Sequence, residues 1–268
     1  MPILRKPWTE QPPPGTKIDW SSPITRNLVV LVLPSEGELV GGGKATFRGA
    51  GSVGPAPFGV AAKSIYTGAG AQDVEYSVDI SATGDRTLAA LASNLGNSIG
   101  ALSITGLQDA DSNDYLNLGP TSFFGSIDNN GTASITVTEQ AKPYFLLSRR
   151  AGNQQTASVD KVFTAAATTG TRALNATKFR IGRSENSGTS SITATVYLAL
   201  YWTRCLNTAE VVSLADNPWQ LFEPRRIIVP VAAAGGATTG SLPIVGRGPG
   251  MALAGNGGGL AGNSGAAA

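Results

Sequence analysis

The sequence predicts an all-β sandwich flanked by extended arms, and three features carry that expectation. Between Ile24 and about Leu200, short β-type segments alternate with clusters of Gly, Asn, Asp and Ser, the spacing expected of a sandwich or jelly roll. Glycine makes up 34 of 268 residues and charged residues only 14%, against roughly 7% and 25% in an average soluble protein. Such a chain turns tightly and often, and its surfaces suit contact with other protein. Finally, neither end has the composition to build a core of its own.

In chain order, residues 1–23 carry Pro2, Pro7, Pro12, Pro13, Pro14 and Pro23. Proline lacks an N–H and holds φ fixed, which predicts an extended, polyproline-like arm. Trp8 and Trp20 lie in it, and large aromatics in an irregular segment anchor it to a surface, either its own domain or another subunit. The predicted strands are Leu28–Leu33, Ala45–Arg48, Ala61–Tyr66, Val74–Ile80, Thr87–Ala92, Ala101–Thr105, Tyr115–Leu118, Ser122–Asp128, Ala133–Thr138, Tyr144–Arg150, Gln155–Val159, Lys178–Gly182 and Ile192–Trp202. Val74, Tyr76, Val78 and Ile80 alternate with Glu75, Ser77 and Asp79, so one face of that strand should be buried and the other wet. Asp128-Asn129-Asn130-Gly131 is a hairpin turn signal, because Asn and Gly accept positive φ. One helix is convincing: Asn207 caps it, Glu210 completes a capping box, and Asn217-Pro218 stops it. An aromatic and basic segment follows, and residues 231–268 are chiefly Gly and Ala with one charge, Arg247. The domain reading is an arm over 1–23, a jelly roll over 24–222 and a tail over 223–268.

Composition narrows the chemistry. With 20 Lys and Arg against 18 Asp and Glu, the net charge of +2 leaves no electrostatic footprint for nucleic acid. The absence of histidine removes the Ser-His-Asp and Cys-His triads and nearly every ordinary zinc or non-haem iron site. Cys205, the single cysteine, lies in an apolar stretch and reads as a buried, inert thiol. The opening residues lack the apolar run of a secretory signal and no run reaches membrane-span length, so the expected place of synthesis is a cytosol.

Lys178-Phe179-Arg180-Ile181-Gly182-Arg183, the strand Ile192–Trp202 and Thr203-Arg204-Cys205-Leu206-Asn207-Thr208-Ala209-Glu210-Val211 together resemble the closing part of LamG-type concanavalin A-like lectin/glucanase domains. In that family an Ile-Gly-Arg strand end precedes a long strand and an Arg-x-Leu-Ser-x-x-Glu-Ile turn into a short helix; here Asn207 replaces the Ser and Val211 the Ile. The run Asn217-Pro218-Trp219-Gln220-Leu221-Phe222-Glu223-Pro224-Arg225-Arg226 looks like the tail of LamG-like proteins of tailed bacteriophages. Their opening is similar to Lys6-Pro7-Trp8, Ile18-Asp19-Trp20 and Pro23-Ile24-Thr25-Arg26-Asn27-Leu28. The resemblance is specific at both ends and pattern-level over residues 40–175. It implies a concanavalin A-like jelly roll and a virion protein. Because that sandwich carries lectins, glucanases and inert modules alike, function has to come from sites.

Asp73, Glu75 and Asp79 share a strand face and are the nearest match to a glycosidase pair, but the Glu-x-Asp-x-x-Glu pattern of laminarinase-like glucanases is missing. Asp109, Asp111, Asn113 and Asp114 are rich in oxygen ligands yet lack the Gly and Glu of an EF-hand loop, and read as a polar turn. Tyr66, Tyr115, Phe123 and Phe124 are the aromatics available for a sugar platform. The basic pairs Arg149-Arg150 and Arg225-Arg226 are either solvated or docked on acidic patches of a neighbour. The expected function is a non-enzymatic bacteriophage virion structural protein, a capsid decoration or cement protein made in the host bacterial cytoplasm. Its arms would hold the major capsid protein and copies of itself, as a homo-oligomer, a trimer by analogy with shell decoration proteins. The alternative is a tail-associated host-glycan binder, and a glucan hydrolase comes last. No catalytic residue, metal, cofactor, nucleic acid or membrane is expected. The interface candidates are Trp8, Trp20, Trp219, Phe222, Arg225 and Arg226, since aromatic and Arg side chains dominate interface energetics, although Trp219, so close behind the helix, is expected rather to cover its own sandwich.

Overall fold

The computed structural model describes residues 3–6, 8–34, 42–47, 52–64, 74–93, 103–108, 113–118, 122–128, 132–137, 143–182 and 194–228. Its strands are β1 (Ile3–Lys6), β2 (Leu28–Val32), β3 (Gly42–Phe47), β4 (Ser52–Ala56), β5 (Gly59–Ser64), β6 (Val74–Ala82), β7 (Arg86–Ser93), β8 (Ser103–Gln108) and β9 (Asn113–Leu118). The chain continues through β10 (Ser122–Ser126), β11 (Thr132–Thr136), β12 (Tyr144–Ala151), β13 (Gln154–Val159), β14 (Val162–Phe163), β15 (Ala167–Thr168), β16 (Leu174–Ile181) and β17 (Ala194–Trp202). Helix α1 (Thr208–Asp216) and β18 (Arg225–Ile228) close it.

Among the described residues these strands form two antiparallel sheets and a separate ribbon, the all-β jelly-roll sandwich that the sequence predicts. One sheet runs β11-β10-β9-β8-β16-β6-β3; the other runs β14-β13-β12-β7-β17-β5-β4, with β15 on β13 and β2 on β17. The first core lies between the sheets. It holds Val74, Tyr76, Val78 and Ile80 of β6, as the alternation requires, while Ser77 and Asp79 face out exposed. Gly125 on β10 packs tightly against the other sheet: a Cβ there would stand 2.7 Å from the Ser148 Cβ on β12.

The second sheet is apolar on both faces. All residues of β7, Arg86–Ser93, are buried, the continuous apolar run expected of a strand covered on both sides. Leu88 and Ala90 face the other sheet, while Ala89 and Leu91 face a second core. That second core is roofed by Ile18, Ile24, Val211 and Leu214, with Trp219 and Phe222 from the short 3-10 turn Pro218–Leu221 and the residue after it. Helix α1 starts as the sequence dictates: Asn207 accepts from the Glu210 N–H at 2.9 Å, and Glu210 accepts from the Asn207 N–H at 2.8 Å.

The N-terminal segment is an integral part of this layer. Ile18 bridges Phe222, Asp19 N donates to Leu221 O at 2.8 Å, and Glu223 N donates to Lys17 O at 2.8 Å. Trp202 Nε1 donates to Ile24 O at 2.8 Å. The outer ribbon pairs β1 with β18, joining the two arms to each other. Ile3–Val229 accordingly forms one compact unit. Strands β1, β4, β14, β15 and β18 escape the sequence reading; they are short, and each lies at an edge or pairs only with a distant segment. Residues 129–131 of the predicted hairpin turn and the tail from 229 onward lie outside the described residues. Asp128, which opens that turn, has φ 65°.

Candidate functional site

Two polar constellations stand out, one sealed and one open. The sealed one begins with register: β7 pairs β12 so that Arg86 lies directly opposite Arg150. Like charges so placed repel, and both side chains are buried at 0% and 1% exposure. Two buried carboxylates compensate. Asp114 takes Arg86 Nε at 2.7 Å and Nη2 at 3.0 Å, and accepts from the Tyr201 hydroxyl at 2.9 Å. Asp128 lies 3.9 Å from Arg150 Nη1 and accepts the Arg172 N–H at 2.8 Å. Arg150 also donates to Gly170 O and Gly84 O, and Gln155 bridges Ile127 N, Gly125 O and Ser148. Burial works against the Arg86 cation, but Asp114 outweighs it and holds its pKa above the ordinary value. Burial and the like charge of Arg86 together lower that of Arg150. Burial, then Asp114, pushes the Tyr201 phenol well above its usual range. The cluster ties strands to loops at one end of the sandwich, and its full burial gives no ligand access to it.

The open constellation is a cleft of about 480 Å³ in the roof over the second sheet. Its floor is Leu91 and Trp219; the tip Pro57-Phe58-Gly59 of the β4–β5 hairpin makes one wall, Pro143 another, and Thr9, Glu10 and Gln11 of the N-terminal segment the rim. Phe58 is 39% exposed and meets the Tyr197 ring edge-on at 5.9 Å. Gln11 Nε2 donates to Val60 O at 2.9 Å and its Oε1 accepts from Val60 N at 2.7 Å, pinning the rim to the hairpin. Gly59 stands at φ 130°, a conformation that strains other residues, and a Cβ there would push the Gln11 side chain off Val60.

The sequence-predicted residues divide sharply. Trp219 and Phe222 are core, 6% and 2% exposed, so neither offers a free anchor, although Trp219 also floors the cleft. Trp8 is half-buried: its Nε1 donates to Glu223 O at 2.9 Å, and the Arg225 guanidinium covers its ring at 4.7 Å. Trp20 is 59% exposed and open to a partner. The Arg226 side chain lies outside the described residues. The Arg149-Arg150 pair is neither solvated nor available for docking. Arg150 belongs to the buried cluster, and Arg149 donates to Leu206 O at 2.7 Å while stacking on Phe163. Glu75 is held by Arg180 Nε at 2.7 Å, Asp79 is exposed, and Asp73 lies outside the described residues. In the acidic segment read as a polar turn, Asp109 and Asp111 lie outside the described residues and Asp114 binds arginine; no group of metal-ligating side chains occurs among those described. Phe123 is buried and Tyr115 half-buried, and neither lines the cleft; Tyr66 and the Phe124 side chain lie outside the described residues. Cys205 is only half-buried; its Sγ donates to Leu206 O at 3.5 Å, and burial raises its pKa. Phe58 is the residue that sequence reasoning missed. Its signal was the turn sequence Pro55-Ala56-Pro57-Phe58-Gly59, which puts an aromatic at a hairpin tip.

No family model and no curated protein matches the chain. Solved structures do. The chain is similar to a Trypanosoma rangeli sialidase in complex with sialic acid, at TM-score 0.54 and 16% identity, over 72% of this chain and 33% of the sialidase. It is also similar to a botulinum neurotoxin type C, which needs two ganglioside molecules to enter cells, at TM-score 0.53 and 11% identity over 72% and 52% of the two chains. The binding domain of botulinum neurotoxin serotype G matches at TM-score 0.54 and 10% identity over 70% and 50%. The chain thus spans a third to about half of these neighbours, and what it shares with them is a β-sandwich compatible with the concanavalin A-like class. One expectation is corrected here. The sialidase is an enzyme, so the reading of this chain as a non-enzyme does not stand. The physical reason is that the absence of histidine excludes histidine-based triads and no wider class of chemistry.

Proposed function

We propose that this chain is a virion protein of a tailed bacteriophage that binds a host-surface glycan through the Phe58 cleft. The cleft itself carries the reading: a partly exposed aromatic wall, an apolar floor and a polar rim are the elements that stack on a sugar's C–H face and bond its hydroxyls. The phage setting rests on the LamG-like resemblance at Lys6-Pro7-Trp8 and at residues 178–226. The named sialic acid and ganglioside partners of the structural neighbours support a sugar as ligand.

A glycan array with the purified chain tests it, followed by Phe58→Ala, which should reduce binding at least about tenfold if the ring is the platform. Free sugar released from the bound oligosaccharide, measured in the same wells, reports turnover. A chain that binds no glycan, or binds equally well without Phe58, excludes the cleft reading. One observation favours a second reading, decoration of the capsid through the major capsid protein: Trp20 is 59% exposed on the segment that resembles the phage proteins. Localisation in intact particles separates the two, the tail supporting the first and the head shell the second.

A further inference from the structure

The hairpin tip that carries Phe58 is held by a side chain where a strand would ordinarily hold it. Ala56 and Gly59 close the β4–β5 turn, and the next pair inward is Pro55 with Val60. Val60 gives both its N–H and its C=O to Gln11, the mark of an antiparallel pair whose backbone groups point away from the partner strand. Pro55, which has no N–H, fits such a position. On the outer side of β5, β17 pairs only as far as Val196 opposite Ala62. The far edge of β17 is taken by β7, and from Ala199 onward the edge that β5 leaves is taken by β2. Gln11 stands where that ladder ends: its Nε2 donates to Val60 O and its Oε1 accepts from Val60 N, the two bonds that one residue of a neighbouring strand would make. The bare Cα of Gly59 lets the Gln11 amide come this close.

We propose that Gln11 is a positioning residue of the cleft: by completing the end of β5 it fixes the hairpin tip, and with it the angle at which the Phe58 ring meets a sugar. The inference rests on the glycan reading of the cleft. Phe58 stands two residues before Val60 on the same tip, so a shift of Val60 carries the ring away from its edge-on contact with Tyr197. Without the Gln11 amide two backbone groups at the rim turn to water and the tip samples other angles. The ring then has to be ordered at the moment of binding, which costs affinity although the ring itself is intact.

The test compares the full chain as wild type, Gln11→Met, Phe58→Ala and the double variant on one glycan array, with amide hydrogen exchange followed by NMR. Methionine keeps the length of the side chain and loses both polar atoms. Exchange at Val60 is expected to speed up about tenfold in Gln11→Met, the weight of one hydrogen bond, while Leu88 in the buried strand β7 exchanges as in the wild type. Array binding should fall about tenfold in Gln11→Met, and no further when Gln11→Met is added to Phe58→Ala, because a residue that acts through the ring has nothing left to position once the ring is gone. Equal losses in both backgrounds would give Gln11 a direct contact with the sugar and overturn the positioning role. Unchanged exchange at Val60 overturns it too, as does exchange at Leu88 that rises together with Val60, which would make Gln11 a support of the whole sandwich. Binding that survives Gln11→Met undiminished overturns the positioning role alone. An array on which even the wild type binds nothing overturns the glycan reading, and the sugar role of Gln11 with it.

Discussion

Arg86 opposite Arg150 is a like-charge pair that the sandwich tolerates because Asp114 and Asp128 arrive from β9 and the turn after β10. Removing one partner strands a buried charge. Asp114→Asn should therefore cost about 3–5 kcal/mol, read as a lower urea midpoint, whereas Arg86→Met with Asp114→Leu should cost less than the two single changes added together. Tyr201 gives the cluster a pH signature. Its folded pKa is raised, by burial first and by Asp114 second, so its contribution is complete below the unfolded phenol value near ~10 and falls away as pH rises beyond it. Urea midpoints at pH 8 and 10.5 should fall in the wild type and fall less in Tyr201→Phe. A steeper alkaline loss in the variant would refute the assignment.

The element that decides the roof is α1 together with the N-terminal segment. Arg204 grips Glu210 with two hydrogen bonds of 2.8 Å and also donates to Arg26 O and Pro23 O, so one guanidinium joins helix start to arm. Burial alone would raise the Glu210 pKa, but the bond from Arg204 and that from the Asn207 N–H outweigh it and the net shift is downward. A depressed carboxylate stabilises above its unfolded value and loses that contribution as pH falls through the folded one. Asn207→Ala should cost about 1 kcal/mol, and Glu210→Gln should flatten the acid limb of the stability profile, both visible in thermal melts between pH 3 and 7. Because the predicted strands and the helix near Val211 all lie between the two arms, the sequence reading expects the jelly roll to fold without them. With Ile18 in the core, deletion of residues 1–22 should instead lower stability by at least about 1.5–3 kcal/mol, the burial of one large aliphatic side chain. A truncated chain that melts like the full one would return the arm to its role as a free clamp.

For the whole molecule, the compact unit Ile3–Val229 contains both halves of the β1–β18 ribbon, so truncation after residue 229 should leave the melting curve unchanged. Co-sedimentation of that truncated chain with particles lacking the protein then reports whether residues 230–268 hold it there. Binding that drops sharply assigns them an assembly role; undiminished binding moves the attachment surface to the sandwich, where Trp20 is the exposed aromatic to substitute first.

The strand alternation at Val74–Ile80, the all-apolar run of β7, the capping box at Asn207 and the stop at Pro218 are local signals. Backbone geometry and burial act on neighbouring residues, so the sequence by itself determined the sandwich class, the thirteen main strand positions and the one convincing helix. What it could not determine depends on contacts between residues far apart in the chain. Arg150 sits in phase with Leu146 and Tyr144 on β12, which hinted at an inward arginine. Only the arrival of Asp114 and Asp128 made that position tenable, and nothing near Arg150 in sequence announces them. Of the five short strands, β1 and β18 form only against each other, more than two hundred residues apart, while β4, β14 and β15 are short edge pieces beside nearby strands. The cleft is the strongest case. Its floor, walls and rim come from β7, the β4–β5 turn, the start of β12, the 3-10 turn and the N-terminal segment, five places with no common pattern. Tertiary packing made Phe58 a wall and Trp219 the floor of one cleft, because a concave surface is a property of elements meeting and not of any one of them.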